Sequence, residues 1–191
     1  MLTDRQERIL LSLKKFDYLT VQQLQLLHDL KSYRNAHKVI NQLYDYTNVF
    51  KDNTTNIYYL NKRGREYVNA TKIRRKITTA AHYIMRNNLY IFLRRPANWS
   101  NEIRIKYRDI TVVTDAHYTI GDKHYIVEVD NKQTMKKNAA KIEKYRRLIE
   151  HGIFKGMPKL IWVTTTDYRK SCLYELCDGL DVDVYLSHEI K

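Results

Sequence analysis

The chain has 191 residues, 43% hydrophobic and 29% charged, enough to bury a core in one domain or two small ones. No window approaches about 18 uninterrupted apolar residues, which excludes a transmembrane helix, and the polar start MLTDRQERILLSL lacks the layout of a secretory signal. Cys172 and Cys177, the only cysteines, share one helical stretch and can build neither a disulfide framework nor a four-ligand zinc site, so a reduced, cytoplasmic protein without a membrane partner is expected.

The net charge of +13 is concentrated in residues 71–111, which carry 10 Lys and Arg against 2 Asp and Glu, among them Lys72, Arg74, Arg75, Lys76, Arg94 and Arg95. Such a concentration points to a polyanion partner, against the plainer alternative of a solvated helix face beside a linker. The 16 tyrosines suit phosphate or base contacts as well as a core.

In chain order, residues 3–16 place Ile9, Leu10, Leu13 and Phe16 at helical spacing behind an N-cap at Thr3 or Asp4. Thr20 and Gln23 have capping-box spacing for a second helix with Leu24 and Leu27 inward. Ser32 caps a third, over residues 33–46, with Ala36, Val39, Ile40 and Leu43 inward. A strand, a polar turn at residues 52–56, a second strand and a short helix follow. Three helices and a hairpin form the winged-helix order. In it the third helix enters the major groove and needs donors and short polar groups on its exposed start. Ser32, Tyr33, Arg34, Asn35, His37 and Lys38 meet that need, and Lys51, Asn53, Thr54 and Asn56 of the wing tip suit the phosphate backbone. Arg74 and Arg75 join these as candidate DNA contacts. Duplex DNA is the expected partner, with a protein-interaction module as the alternative.

Residues 71–97 read as a basic linker and a helix with Ala81, Ile84, Met85, Leu89 and Phe92 on one face, ended by Pro96. WSNEIRIKY leads on as a short helix or strand. Residues 98–191 then order as hairpin, helix, strand, helix, strand, a mixed sheet flanked by helices. The helix spans 136–151 with Ile142, Tyr145 and Ile149 inward. LIWVTTT is a buried strand, YRKSCLYELC a helix and VDVYL the last strand.

The hairpin turns at Gly121-Asp122, with glycine first as a type II′ turn requires, so paired residue numbers sum to about 243. Asp115 then faces Glu128, and Val113, His117, Thr119, His124, Ile126 and Asp130 share their face. The opposite face, with Val112, Thr114, Ala116, Tyr118, Tyr125, Val127 and Val129, is the expected core face. His117 and His124 read as solvent-facing strand residues, with membership of the hairpin site as the alternative. Facing carboxylates repel unless something compensates. Asp115, Glu128 and Asp130 could share Mg2+ or Mn2+, or could be a salt-bridged cluster neutralised by Lys141 of the next helix.

The run Tyr59-Leu60-Asn61-Lys62-Arg63-Gly64-Arg65 is followed by Trp99-Ser-Asn-Glu102, Thr114-Asp115-Ala116, Val127-Glu128-Val129-Asp130 and the pair Lys141 and Tyr145. In these the chain resembles the replication-relaxation family of mobile elements in Gram-positive bacteria. They are similar, in order, to the family's Tyr-Leu-Thr-x-x-Gly-Arg, Trp-x-x-Glu, Pro-Asp-Ala, Glu-Val-Asp strand and Lys-x-x-x-Tyr. The resemblance implies a DNA-binding protein in replication, relaxation or mobilisation of plasmid, phage or conjugative-element DNA, beside replication or relaxase machinery. The second half also resembles the restriction-endonuclease fold, whose Asp and Glu-x-Lys hold Mg2+ and position water. Here Asp130 stands where the lysine belongs, and Lys132 or Lys141 is left to supply the cation. A metal-dependent DNA nuclease and a winged-helix transcriptional regulator working as a homodimer stay as alternatives. No Gly-rich phosphate loop and no Gly-x-Ser-x-Gly elbow is present, which argues against nucleotide hydrolysis and serine-hydrolase chemistry.

Overall fold

The computed structural model describes residues 2–190 and divides into two compact units, Met1–Asn87 and Asn88–Lys191. In the first, α1 (Asp4–Phe16) starts at a Thr3–Gln6 capping box and buries Ile9, Leu10, Leu13 and Phe16. A two-residue strand β1 (Leu19–Thr20) precedes α2 (Val21–Leu27), whose own capping box is Thr20 with Gln23. Then comes α3 (Tyr33–Asn41), which buries Ala36, Val39 and Ile40. It is shorter than the pattern suggests, because successive tight turns at Leu43 and Tyr46 swing the chain into the wing. The wing is β2 (Thr47–Asp52) and β3 (Thr55–Leu60), with a two-residue turn at Asn53-Thr54 narrower than expected. Asn53 supplies the left-handed φ of 51° that such a turn demands. β1 completes a three-stranded antiparallel sheet on β3, giving the winged-helix arrangement.

Next is α4 (Lys62–Tyr67), capped by Asn61, whose Oδ1 accepts from the Gly64 amide at 2.9 Å. A Cβ on Gly64 would lie 2.1 Å from the Tyr46 carbonyl oxygen, so only glycine fits there. That same oxygen accepts from the Asn61 amide at 3.1 Å. Residues 71–79 have no regular structure, and α5 (Ala80–Phe92) follows, with the boundary between units inside it. Its buried residues are Ala80, Met85, Arg86, Asn87, Leu89 and Tyr90, while Phe92 is exposed and the helix stops before Pro96. The expected all-apolar stripe is therefore corrected: a buried arginine and asparagine sit within it.

The second unit contains β4 (Ser100–Asn101), β5 (Arg104–Tyr107), β6 (Ile110–Val113), β7 (Ala116–Ile120) and β8 (Lys123–Asp130). After them come α6 (Met135–Glu150), β9 (Lys159–Thr164), α7 (Asp167–Leu176) and β10 (Val182–Leu186). The main sheet runs β10-β9-β8-β7-β4, with β8, β9 and β10 parallel and β7 and β4 antiparallel, while β5 and β6 pair separately. WSNEIRIKY is thus two strands. The hairpin register is as expected, from Ile120 opposite Lys123 to Ala116 opposite Val127, and Gly121 takes φ 56°.

The expected core face is buried, but the Glu128 face, expected to be open, is core as well. Ile126, on the Glu128 face, packs with Leu160, Trp162 and Val184 against Ile142, Tyr145 and Leu148 of α6 and Leu173 of α7. The other face, with Ala116, Tyr118, Val127 and Val129, is buried as well. There Trp99 lies 5.2 Å from the Tyr90 ring and 5.7 Å from Tyr118, which stacks on Tyr125. β8 is a central strand buried on both sides, the setting in which a two-residue period no longer separates core from solvent. Val112 and Val113 belong to β6, outside the hairpin.

Candidate nucleic-acid interface and buried carboxylate centre

On α3, one helical turn gathers most of the expected reading residues. Tyr33 (57% exposed), Arg34 and Lys38 project outward, opposite the buried Ala36, Val39 and Ile40. Ser32 spends its hydroxyl on the Asn35 amide at 3.2 Å, so it is the cap that starts the helix. His37 lies beside Tyr33, with ring centroids 6.5 Å apart, and its Nδ1 meets the Asn41 amide nitrogen at 3.1 Å. Lys51 and Asn56 are paired across the wing, Asn53 is in its turn, and Lys51 and Asn53 are exposed. Arg74 sits elsewhere: its Nε donates to Asp17 at 2.8 Å, while Arg75 is exposed.

In the second unit the acidic residues of β8 are built inward. Glu128 is fully buried and accepts a hydrogen bond from the Tyr145 hydroxyl at one oxygen and from the Lys141 ammonium at the other. Both donors project from one face of α6, four residues apart. Asp130 is also fully buried, and Arg169 grips it with Nε at 2.7 Å and Nη2 at 2.5 Å. Asn138 adds a hydrogen bond at 2.8 Å and the Thr164 hydroxyl another at 2.7 Å. Thr164 is placed by register, since it stands beside Asp130 in the parallel pair of β8 and β9. Asp115, just before β7, accepts from the Val129 amide at 2.7 Å. Lys132 is exposed on the loop after β8 and is not part of this group. His117 and His124 are half-buried, not solvent-facing, with Nε2 and Nδ1 2.9 Å apart.

The two buried carboxylates titrate in opposite directions. Burial, and next the Asp115 carboxylate, push Glu128 well above the usual carboxylate range, and Lys141 and Tyr145 only partly offset them. Burial and the neighbouring Glu128 likewise raise Tyr145 well above the ordinary phenol value. Burial also acts upward on Asp130, yet the hydrogen bonds from Arg169, Asn138 and Thr164 outweigh it and bring the group below its usual value. Arg169 is correspondingly raised, through its hydrogen bond to Asp130. Burial, then His124, lowers His117.

A divalent cation such as Mg2+ binds carboxylate oxygens that have lone pairs to offer. Here Asp130 accepts two hydrogen bonds on each oxygen, from Arg169, Asn138 and Thr164, and Glu128 accepts one on each, from Tyr145 and Lys141. Among the described residues, no three His, Cys, Asp or Glu side chains converge to hold a metal ion. This donor set makes two internally neutralised carboxylates, and a cation shared by the three acids would compete with Lys141 and Arg169 for their oxygens. Arg169, Asn138 and Thr164 were not anticipated from sequence.

The fold and these surfaces define a winged-helix protein carrying a mixed-sheet second unit with a buried ionic centre. The chain belongs to the replication-relaxation family, whose model matches residues 10–164. Of the residues that carry the resemblance, Asn61 caps α4 and Gly64 abuts the Tyr46 carbonyl. Lys141 and Tyr145, which also carry it, are the two α6 side chains that hold Glu128. No curated protein matches the chain. The crystal structure of protein VC1899 from Vibrio cholerae is similar at 11% identity and a TM-score of 0.43, with 100% of this chain and 55% of that chain covered. The chain thus spans about half the length of that protein. Among the described residues, no helix is long and apolar enough to cross a membrane.

Proposed function

We propose that the protein binds double-stranded DNA through its winged helix, in the replication or mobilisation of plasmid, phage or conjugative-element DNA. The observation that carries this reading is the outer face of α3, where Tyr33, Arg34 and Lys38 are exposed opposite a fully apolar inner face. Arg and Lys at the start of a reading helix donate to guanine edges or phosphates, and tyrosine donates to phosphate. The wing tip adds Lys51 and Asn53 for the backbone. A net charge of +13 supplies the long-range attraction, and membership in the replication-relaxation family supports the biological setting.

Fluorescence anisotropy on a labelled duplex tests it. Affinity should fall steeply with salt, and Arg34→Ala with Lys38→Ala should weaken binding about tenfold or more, the loss of one to two good contacts. Unchanged binding in that double variant removes α3 as the reader.

A further inference from the structure

Residues 71–79 lack regular structure, yet they are pinned to the first unit at successive points. Arg74 donates to Asp17 at 2.8 Å and lies over the Tyr83 ring, 5.3 Å from its centroid. The Tyr18 hydroxyl donates to the Arg75 carbonyl at 2.7 Å. Ile77 packs on a cluster formed by Tyr18, Phe50, Ile57, Tyr59 and Ala80. The anchor is itself buried. Asp17 is 3% exposed and also accepts from Arg86, 1% exposed, at 3.3 Å. Arg86 Nη2 and Asn87 Nδ2 both donate to the Phe16 carbonyl, at 3.0 and 3.2 Å, and Asn87 Nδ2 reaches the Tyr18 carbonyl at 2.8 Å.

Between these pins, Arg75 and Lys76 are exposed and face no carboxylate among the described residues. Phe50 and Ile57, against which Ile77 rests, are the wing residues next to Lys51 and Asn56. The strap therefore runs along the Phe50 and Ile57 face of the wing sheet and holds two exposed cations on an anchored backbone. A solvated basic linker would need none of the buried anchors.

We propose that this strap is a second DNA contact, in which Arg75 and Lys76 hold the phosphate backbone while Arg74 serves as the anchor that positions them. The inference rests on the DNA-binding reading above. Cations on a backbone already fixed lose less freedom on binding than those of a loose tail. Contacts of this kind carry no sequence information, so they add affinity evenly across duplexes.

The test compares Arg75→Ala/Lys76→Ala with Lys62→Ala/Arg63→Ala, whose cations already pair with Glu66 and Asp45. Both remove the same charge from the same unit. Anisotropy on mixed-sequence duplexes over a salt series should show the slope of log K against log salt falling by about two for the strap variant. The Lys62/Arg63 variant should keep the wild-type slope, and thermal unfolding of both should match wild type. A wild-type slope in the strap variant overturns the strap contact while leaving the α3 reading intact, and so does an equal fall in both variants. Wild-type protein without salt-dependent duplex binding removes the α3 reading and the strap with it.

Discussion

The two units use their charged residues in opposite ways. The first spends one buried carboxylate, Asp17, on holding a strap and leaves Arg34, Lys38, Lys51, Arg75 and Lys76 facing outward. The second buries Glu128 and Asp130 completely and matches each with a cation from a different helix. An exposed cation costs little to hold and remains available to a polyanion. A buried acid is tolerable only when its partners stay in place. Substitutions of the outward cations of the first unit should therefore change binding without stability, and those of the buried pairs in the second should change stability first.

The largest effect is expected at Arg169. Arg169→Ala leaves a buried Asp130 with only Asn138 and Thr164, and should cost about 3–5 kcal/mol in urea unfolding, the usual penalty for breaking a buried pair from one side. A loss below about 1 kcal/mol would mean that the pair is solvated. Tyr145→Phe removes one donor from Glu128 and should cost about 1–3 kcal/mol. Arg34→Ala/Lys38→Ala, by contrast, should leave unfolding within about 0.5 kcal/mol of wild type while weakening DNA binding.

Two carboxylates on one strand face should also give opposite pH signatures. Asp130, held below its ordinary value, contributes stability that is present above the unfolded carboxylate pKa and lost as pH falls through the folded one. The gap between wild type and Asp130→Asn should narrow on acidification below about pH 4. Glu128 is raised, so its ionisation disfavours the folded state as pH climbs through the folded value. Glu128→Gln should accordingly gain on wild type as pH rises above the usual carboxylate range. Parallel pH profiles for the two variants would contradict the assignment of partners. The smallest effect concerns metal. Millimolar Mg2+ or Mn2+ should leave the thermal unfolding of wild type unchanged, because the carboxylate oxygens are already engaged. A rise that disappears in Glu128→Gln would show that a cation displaces Lys141.

Much of this architecture was legible from sequence where the signal is local. Thr3, Thr20 and Ser32 mark helix starts through their own side chains, and Gly121-Asp122 sets the hairpin register by turn geometry alone. Strands of two residues, such as β1 and β4, are too short to show a period. The Glu128 centre was half legible, since Lys141 and Tyr145 follow it by one helix. Arg169 lies 39 residues from Asp130 in the chain, and only the parallel pairing of β8 with β9 brings the start of α7 to it. Which side of β8 meets the helices was hidden for a related reason: both are covered.

Gly64 gives the wing a dependence on a residue remote from any groove. The Tyr46 carbonyl, at the exit of the reading helix, is clasped by the Asn61 amide and abuts the bare Cα of Gly64. The start and end of the wing are thus locked together with no room for a methyl group. The spacing between α3 and the wing is gauged there by a hydrogen atom. A side chain at Gly64 would act as a wedge, prising the ends of the wing apart and shifting it relative to the helix.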